Sequence, residues 1–218
     1  MKQIIAFVVV CLMCGCTQDA YDKGEGKYSL MRGDFAEAVV DGSKNATKII
    51  TDDGDELMLS TPYTAKWISK ADTTYRCMLY YNKVDNKAEV ISMGQVPCPS
   101  VVPLSEFNKT LTTDPVKFES SWVSKTGRYL NLSLLVKTGV TDDTEAAQSL
   151  AIVSDTLITH PDSKQIRHLV LHHDQAGVPQ YYSTQVYLSI PVARIDADSV
   201  RISINSYDGE VVVKHRCR

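Results

Sequence analysis

Period-two alternation runs through this sequence and constrains its fold more than any other feature. Between residues 129 and 136, Leu130, Leu132, Leu134 and Val136 fall on one side, while Tyr129, Asn131 and Ser133 fall on the other. That is the pattern of a strand with two chemically different faces. Sustained helical spacing is nearly absent, so the chain reads as all-β. With 44% hydrophobic and 22% charged residues over 218 positions, it has apolar content enough for packed cores.

The first half holds five short β-rich runs: Asp34–Val40, Thr47–Ile50, Glu56–Ser60, Thr74–Tyr81 and Ala88–Met93. Turn-forming residues separate them, at Asp41-Gly42, at Asp52-Asp53-Gly54-Asp55 and between Asn82 and Asn86. Five short strands with irregular connections predict an OB-like five-stranded barrel over residues 29–102. Pro97, Pro99 and Pro103 cannot continue a central strand and mark a boundary. Residues 103–114 read as a connector with one helical turn at Ser105–Lys109.

The second half repeats the pattern. Strands are expected around Phe118–Trp122, Tyr129–Val136, Ala151–Val153, Ile166–His172, Val186–Ile190, Val200–Tyr207 and Val211–Lys214. Seven strands, each with one apolar face, predict a β-sandwich over residues 115–218. Asp208-Gly209 is a two-residue hairpin signal of the type I′ kind. Asp142–Gln148 is the one segment of this half that reads as a short helix.

The start of the chain carries an address. Lys2 and Gln3 precede ten apolar residues, Ile4–Met13, followed by Cys14-Gly15-Cys16. A membrane-spanning helix needs about 20 apolar residues, so residues 1–15 read as a signal peptide. Met13-Cys14-Gly15-Cys16 resembles a bacterial lipobox, and small Gly15 makes Cys16 the residue that would be lipidated. Residues 16–28, polar and Gly-containing, read as a tether. The expectation is a lipid-anchored protein of the outer membrane, facing the periplasm or the cell surface.

Charge excludes one class of partner. The chain has 23 Lys+Arg against 26 Asp+Glu, a net charge of −3. Nucleic acid, which demands a basic face, is not an expected partner. Beyond residue 16 the cysteines are Cys77, Cys98 and Cys217, an odd number. Cys77 shares a strand face with Leu79 and Tyr81 and reads as a small buried hydrophobe. A Cys98–Cys217 bridge is an open alternative.

Gly127-Arg128-Tyr129-Leu130-Asn131-Leu132, Val186-Tyr187-Leu188-Ser189-Ile190-Pro191 and Ile204-Asn205-Ser206-Tyr207-Asp208-Gly209 resemble the C-terminal domain of NigD-like proteins. Gly33-Asp34-Phe35, Asp53-Gly54 and Leu57-Met58-Leu59-Ser60-Thr61-Pro62 are similar to their N-terminal half. The resemblance implies an OB-like barrel followed by a β-sandwich, in agreement with the strand count. These motifs are structural and carry no catalytic residue. The family takes its name from a bacteriocin gene cluster, which implies an immunity or accessory role.

Chemistry-bearing residues are few. His168, His172, His173 and Asp174 form the densest titratable cluster. On a strand, His168 and His172 would stand about 13 Å apart, too far for one metal, so no metal site or other cofactor is expected. The histidines read as facing water, with a hydrolase built on His172 or His173 as a minor alternative. The acids Asp52, Asp53, Asp55 and Glu56 read as a solvated turn rather than a Ca²⁺ loop, because D-x-D-x-D-G spacing is missing.

The eleven tyrosines point instead to binding of a protein or glycan. Tyr187 and Tyr207, outward on their strands, are the candidate contact residues. Short Asp-Ser/Thr patterns make Thr73 and Ser199 candidate O-glycosylation positions, with Thr156 a weaker third. The functional expectation is a non-enzymatic binding or accessory module, with bacteriocin immunity as the alternative.

Overall fold

The computed structural model describes residues 30–142 and 146–217. The signal segment, the lipidation candidate Cys16 and most of the tether lie outside the described residues. So do residues 143–145 of the expected helix at Asp142–Gln148. The rest of that segment is not helical.

The first five strands are β1 (Arg32–Val40), β2 (Ala46–Thr51), β3 (Glu56–Tyr63), β4 (Thr74–Val84) and β5 (Lys87–Gln95). They close into a barrel in the order β1-β2-β3-β5-β4, with β4 returning to β1. Only the β3–β5 contact is parallel. This is the five-stranded barrel the alternation predicts. Small side chains make the closure tight: Ala36, Ala38, Ala46 and Ala88 are fully buried among Ile49, Leu79 and Cys77. Tyr81 fills the same core, with its hydroxyl donating to Asp34 at 2.8 Å, as a buried phenol requires.

The second unit is a β-sandwich. One sheet runs β13-β12-β10-β9-β6 and the other β11-β8-β7. The strands are β6 (Val101–Pro103), β7 (Lys117–Val123), β8 (Tyr129–Thr138), β9 (Ser149–Thr159), β10 (Gln165–Asp174), β11 (Tyr182–Pro191), β12 (Ser199–Ser206) and β13 (Gly209–Arg216). The seven expected strands are joined by an eighth, β6, which pairs in parallel with β9. This three-residue strand straddles the expected boundary between barrel and connector. Pro103, which cannot donate to a ladder, closes it. A 3₁₀ turn, Leu104–Glu106, follows where one helical turn is expected.

The core lies between the sheets: Leu130, Leu132, Leu134 and Val136 of β8 meet Leu169 and Leu171 of β10 and Val200, Ile202 and Ile204 of β12. At the last hairpin Ser206 pairs with Gly209, so the loop is Tyr207-Asp208, one residue earlier than expected. Only Gly209 takes a positive φ, +110°. The turn is therefore not type I′, which needs positive φ at both loop residues.

Candidate functional site

Strand β8 is buried on both faces. Its apolar side meets the sandwich core, and the barrel covers the polar side. Of the polar residues of the alternation, Tyr129 and Asn131 meet the barrel, while Ser133 bonds Glu119 and Gln185 of its own sheet.

The centre of that contact is Arg76 on β4, whose side chain is only 2% exposed. Its guanidinium grips Asp52 with two parallel bonds, Nη1 to Oδ1 and Nη2 to Oδ2, both 2.7 Å. From the sandwich, Ser189 Oγ accepts from Nε at 3.0 Å and Asn131 Oδ1 accepts from Nη2 at 3.1 Å. Ser189 then donates its own proton to Asn131 Oδ1, and Asn131 Nδ2 donates to Asp52 Oδ2 at 3.0 Å. A buried charge is tolerated only when paired and hydrogen-bonded in this way. The guanidinium also lies over the Tyr129 ring, 4.1 Å from its centroid, as in a cation–π contact.

Around this centre the seam is sealed on two sides. On one, the Tyr129 hydroxyl donates to Glu37 of β1 at 2.7 Å, and Arg128 pairs with the same carboxylate at 2.8 Å. Burial, then the hydrogen bond to the Glu37 carboxylate, holds the Tyr129 phenol well above its ordinary pKa. On the other, Phe35 of β1 packs edge-on against Trp122 of β7 and Tyr187 of β11, at 5.4 and 5.1 Å between centroids. Backbone bonds add to these, with the Ser189 N–H donating to Pro97 O and the Thr126 N–H to Asp52 O.

Two hollows flank the seam. One, about 560 Å³, is lined by Glu37, Gly127, Arg128, Tyr129 and Pro191 to Ala193. The other, about 210 Å³, lies between Gly94–Pro97 and Gln185–Tyr187. Each is built from both domains.

The sequence-derived candidates fall as follows. Tyr187 does face away from the sandwich core, but the barrel covers it, and only its rim meets the smaller hollow. Tyr207 is 43% exposed at the hairpin tip, with the Lys137 amine 5.4 Å from its ring centroid. Thr73 sits half-buried in the loop before β4, and Ser199 opens β12; Thr156 is exposed in β9.

His172 and His173 do not face water, while His168 is half-buried. His172 is 1% and His173 0% exposed, because the connector lies across the end of β10. Thr112 N–H donates to His172 Nδ1 at 3.1 Å, and Phe107 packs edge-on against the same ring. His173 Nδ1 donates to the Asp114 carbonyl at 3.0 Å. Both rings act as pins for the connector.

The acidic turn is not simply solvated either. Asp52 holds Arg76, Asp53 pairs with Lys125, Asp55 with Lys83 and Arg32, and Glu56 with Lys48. Cys98 and Cys217 are not joined, so the alternative of a Cys98–Cys217 bridge is not realised. Sequence reasoning missed Arg76 altogether. Its signal was a lone arginine inside an apolar strand beside Cys77 and Leu79.

No helix among the described residues is long and apolar enough to cross a membrane. No curated protein matches the sequence. Solved structures share the fold. A NigD-like immunity protein from Bacteroides caccae superposes with TM-score 0.66 at 22% identity, over 84% of this chain and 91% of that one. A protein from Parabacteroides distasonis, described as a candidate toxin-related protein, gives 0.63 at 15% identity, covering 85% and 92%. A candidate lipoprotein from Bacteroides fragilis gives 0.59 at 14% identity, covering 86% and 98%. In sequence, residues 100–215 match the NigD-like C-terminal β-sandwich domain, more than half of the chain. The chain therefore belongs to the NigD-like family.

Proposed function

We propose that this chain is a lipid-anchored protein of the cell envelope, tethered through Cys16 at the outer membrane, that acts by binding a protein partner in an immunity-type role. The observation that carries the reading is the larger seam hollow. Its lining joins Glu37 of the barrel to Gly127–Tyr129 and Pro191–Ala193 of the sandwich, beside the buried Arg76 network that ties the two domains. A surface held in its bound geometry loses little entropy on binding. Arg128, an exposed aromatic-flanked cation at its rim, is the type of residue that dominates protein interfaces. Similarity to a NigD-like immunity protein and to a candidate lipoprotein supports the role and the anchoring.

Anchoring is tested by labelling intact cells with a fatty-acid probe and treating them with external protease, comparing wild type with Cys16→Ala. The expected result is a labelled wild-type chain that the protease shaves and an unlabelled variant. Equal labelling of both would remove Cys16 as the anchor.

A further inference from the structure

The outer face of the five-stranded sheet carries a second concentration of charge, away from the seam. Strands β10, β12 and β13 are in register there, so that His168 lies beside Arg201, and Arg201 beside Lys214. In the next row Ile166 lies beside Ser199, and Ser199 beside Arg216. In a chain of net charge −3, Arg201, Lys214 and Arg216 enter no ion pair among the described residues. They surround a hollow of about 300 Å³ that Ile166 and Ser199 also line.

Strand β13 is also an edge, pairing with β12 alone. The Val116 N–H donates to the Asn205 carbonyl, which sets the odd-numbered residues of β12 facing away from β13. The even-numbered ones, paired with Gly209, Val211, Val213 and His215, therefore make the β12–β13 ladder. By the same alternation the N–H and C=O groups of Val212, Lys214 and Arg216 point outward, and no described residue takes them. His215 meets Ser121 of β7 at 2.8 Å, which ties this edge to the opposite sheet.

Backbone groups that accept a strand and cations that accept carboxylates thus coincide along one edge. We infer that the β13 edge binds an acidic, extended segment of a partner protein by strand addition. The segment's backbone pairs with Val212, Lys214 and Arg216, and its carboxylates meet Arg201, Lys214 and Arg216. Charge selects this occupant. A second copy would offer one acid on this edge, Glu210, against three cations, and would leave Arg201 and Lys214 without carboxylates. A lipid surface would leave the backbone groups without strand partners. The inference rests on the binding-protein reading only in taking the partner to be a protein.

The test uses the full chain and a fluorescent ten-residue peptide alternating Thr and Glu, with a Thr-Lys peptide as its counterpart, followed by anisotropy. Saturable binding of the Glu peptide is expected, weakening as salt rises. Arg201→Glu/Lys214→Glu should weaken it by about tenfold or more. Val212→Pro should do the same, because it removes an outward N–H without touching the β12 ladder. Should that variant fail to fold, N-methylation of alternate peptide residues against the unaltered chain asks the same question. The inference is overturned by no saturable binding, by equal binding of the Lys peptide, or by indifference to the charge reversal. Concentration-dependent dimerisation that Val212→Pro abolishes would assign the edge to a second copy. Anionic phosphatidylglycerol vesicles binding wild type and Val212→Pro alike, in place of the peptide, would assign the face to lipid. A Cys16→Ala chain that still binds the peptide would leave this surface standing whatever becomes of the anchor.

Discussion

Arg76 of the barrel and Ser189 of the sandwich are 113 residues apart in sequence and 3.0 Å apart in space. Their bond joins the two domains through a side chain that water hardly reaches. Asp52 and Asn131 accept from other N–H groups of the same guanidinium, and the Tyr129 ring lies against it.

Arg76→Met should therefore be severe. It strands Asp52 beside Asn131 and Ser189 with no cation, and breaking a buried pair from one side costs about 3–5 kcal/mol. Urea unfolding followed by Trp67 and Trp122 fluorescence would measure it. The double variant Arg76→Met/Asp52→Asn should lose less than the sum of the two single variants, as residues in one network do. Strict additivity would mean that the pair is not coupled.

Tyr187→Ala should lower stability by about 2–4 kcal/mol, because it removes a large ring packed against Phe35 at the seam. An unchanged urea midpoint, with only a binding defect, would return Tyr187 to the role of a free contact residue.

Acid should weaken the fold through histidines. Burial lowers the His172 pKa below its ordinary value; Lys109 and His173 add to this, while Asp174 opposes it. His215 is lowered by burial as well. For a group whose folded pKa is depressed, the unfolded chain binds the proton first. Stability from the neutral rings is full above the unfolded value of about 6.5 and falls as pH drops below it, by at most about 1.4 kcal/mol per pH unit for each proton. Urea midpoints between pH 8 and pH 5 should decline in wild type and decline less in His172→Asn/His215→Asn. Parallel slopes would contradict this.

Thiol reactivity should separate the cysteines. Burial pushes the Cys77 thiol up to about 12, so it holds almost no thiolate at neutral pH. Cys98 is exposed. A maleimide or disulfide reagent should label Cys98 in the folded chain and Cys77 only after denaturation. Rapid labelling of Cys77 in the native state would mean the barrel opens readily.

The strands were legible because period two is a local property, readable wherever one face is apolar. β8 shows where that stops. Asn131 and Tyr129 sit on the polar side of the alternation, and only the docking of the barrel, through partners more than fifty residues away, covers them. Asp52 was hidden similarly, since an Asp-Asp-Gly-Asp run is what a solvated turn also contains. His172 and His173 lie on opposite faces of β10, so alternation could place at most one of them inside. The connector that covers the other has no periodicity to announce its path.

An immunity-type binding role carried by the seam should show itself in survival. A strain lacking the gene is grown with competing neighbours and complemented with wild type, Arg128→Glu or Cys16→Ala. The deletion should lower survival, wild type should restore it, and neither variant should. Survival unaffected by the deletion against every competitor, or restored fully by Arg128→Glu, would contradict that role.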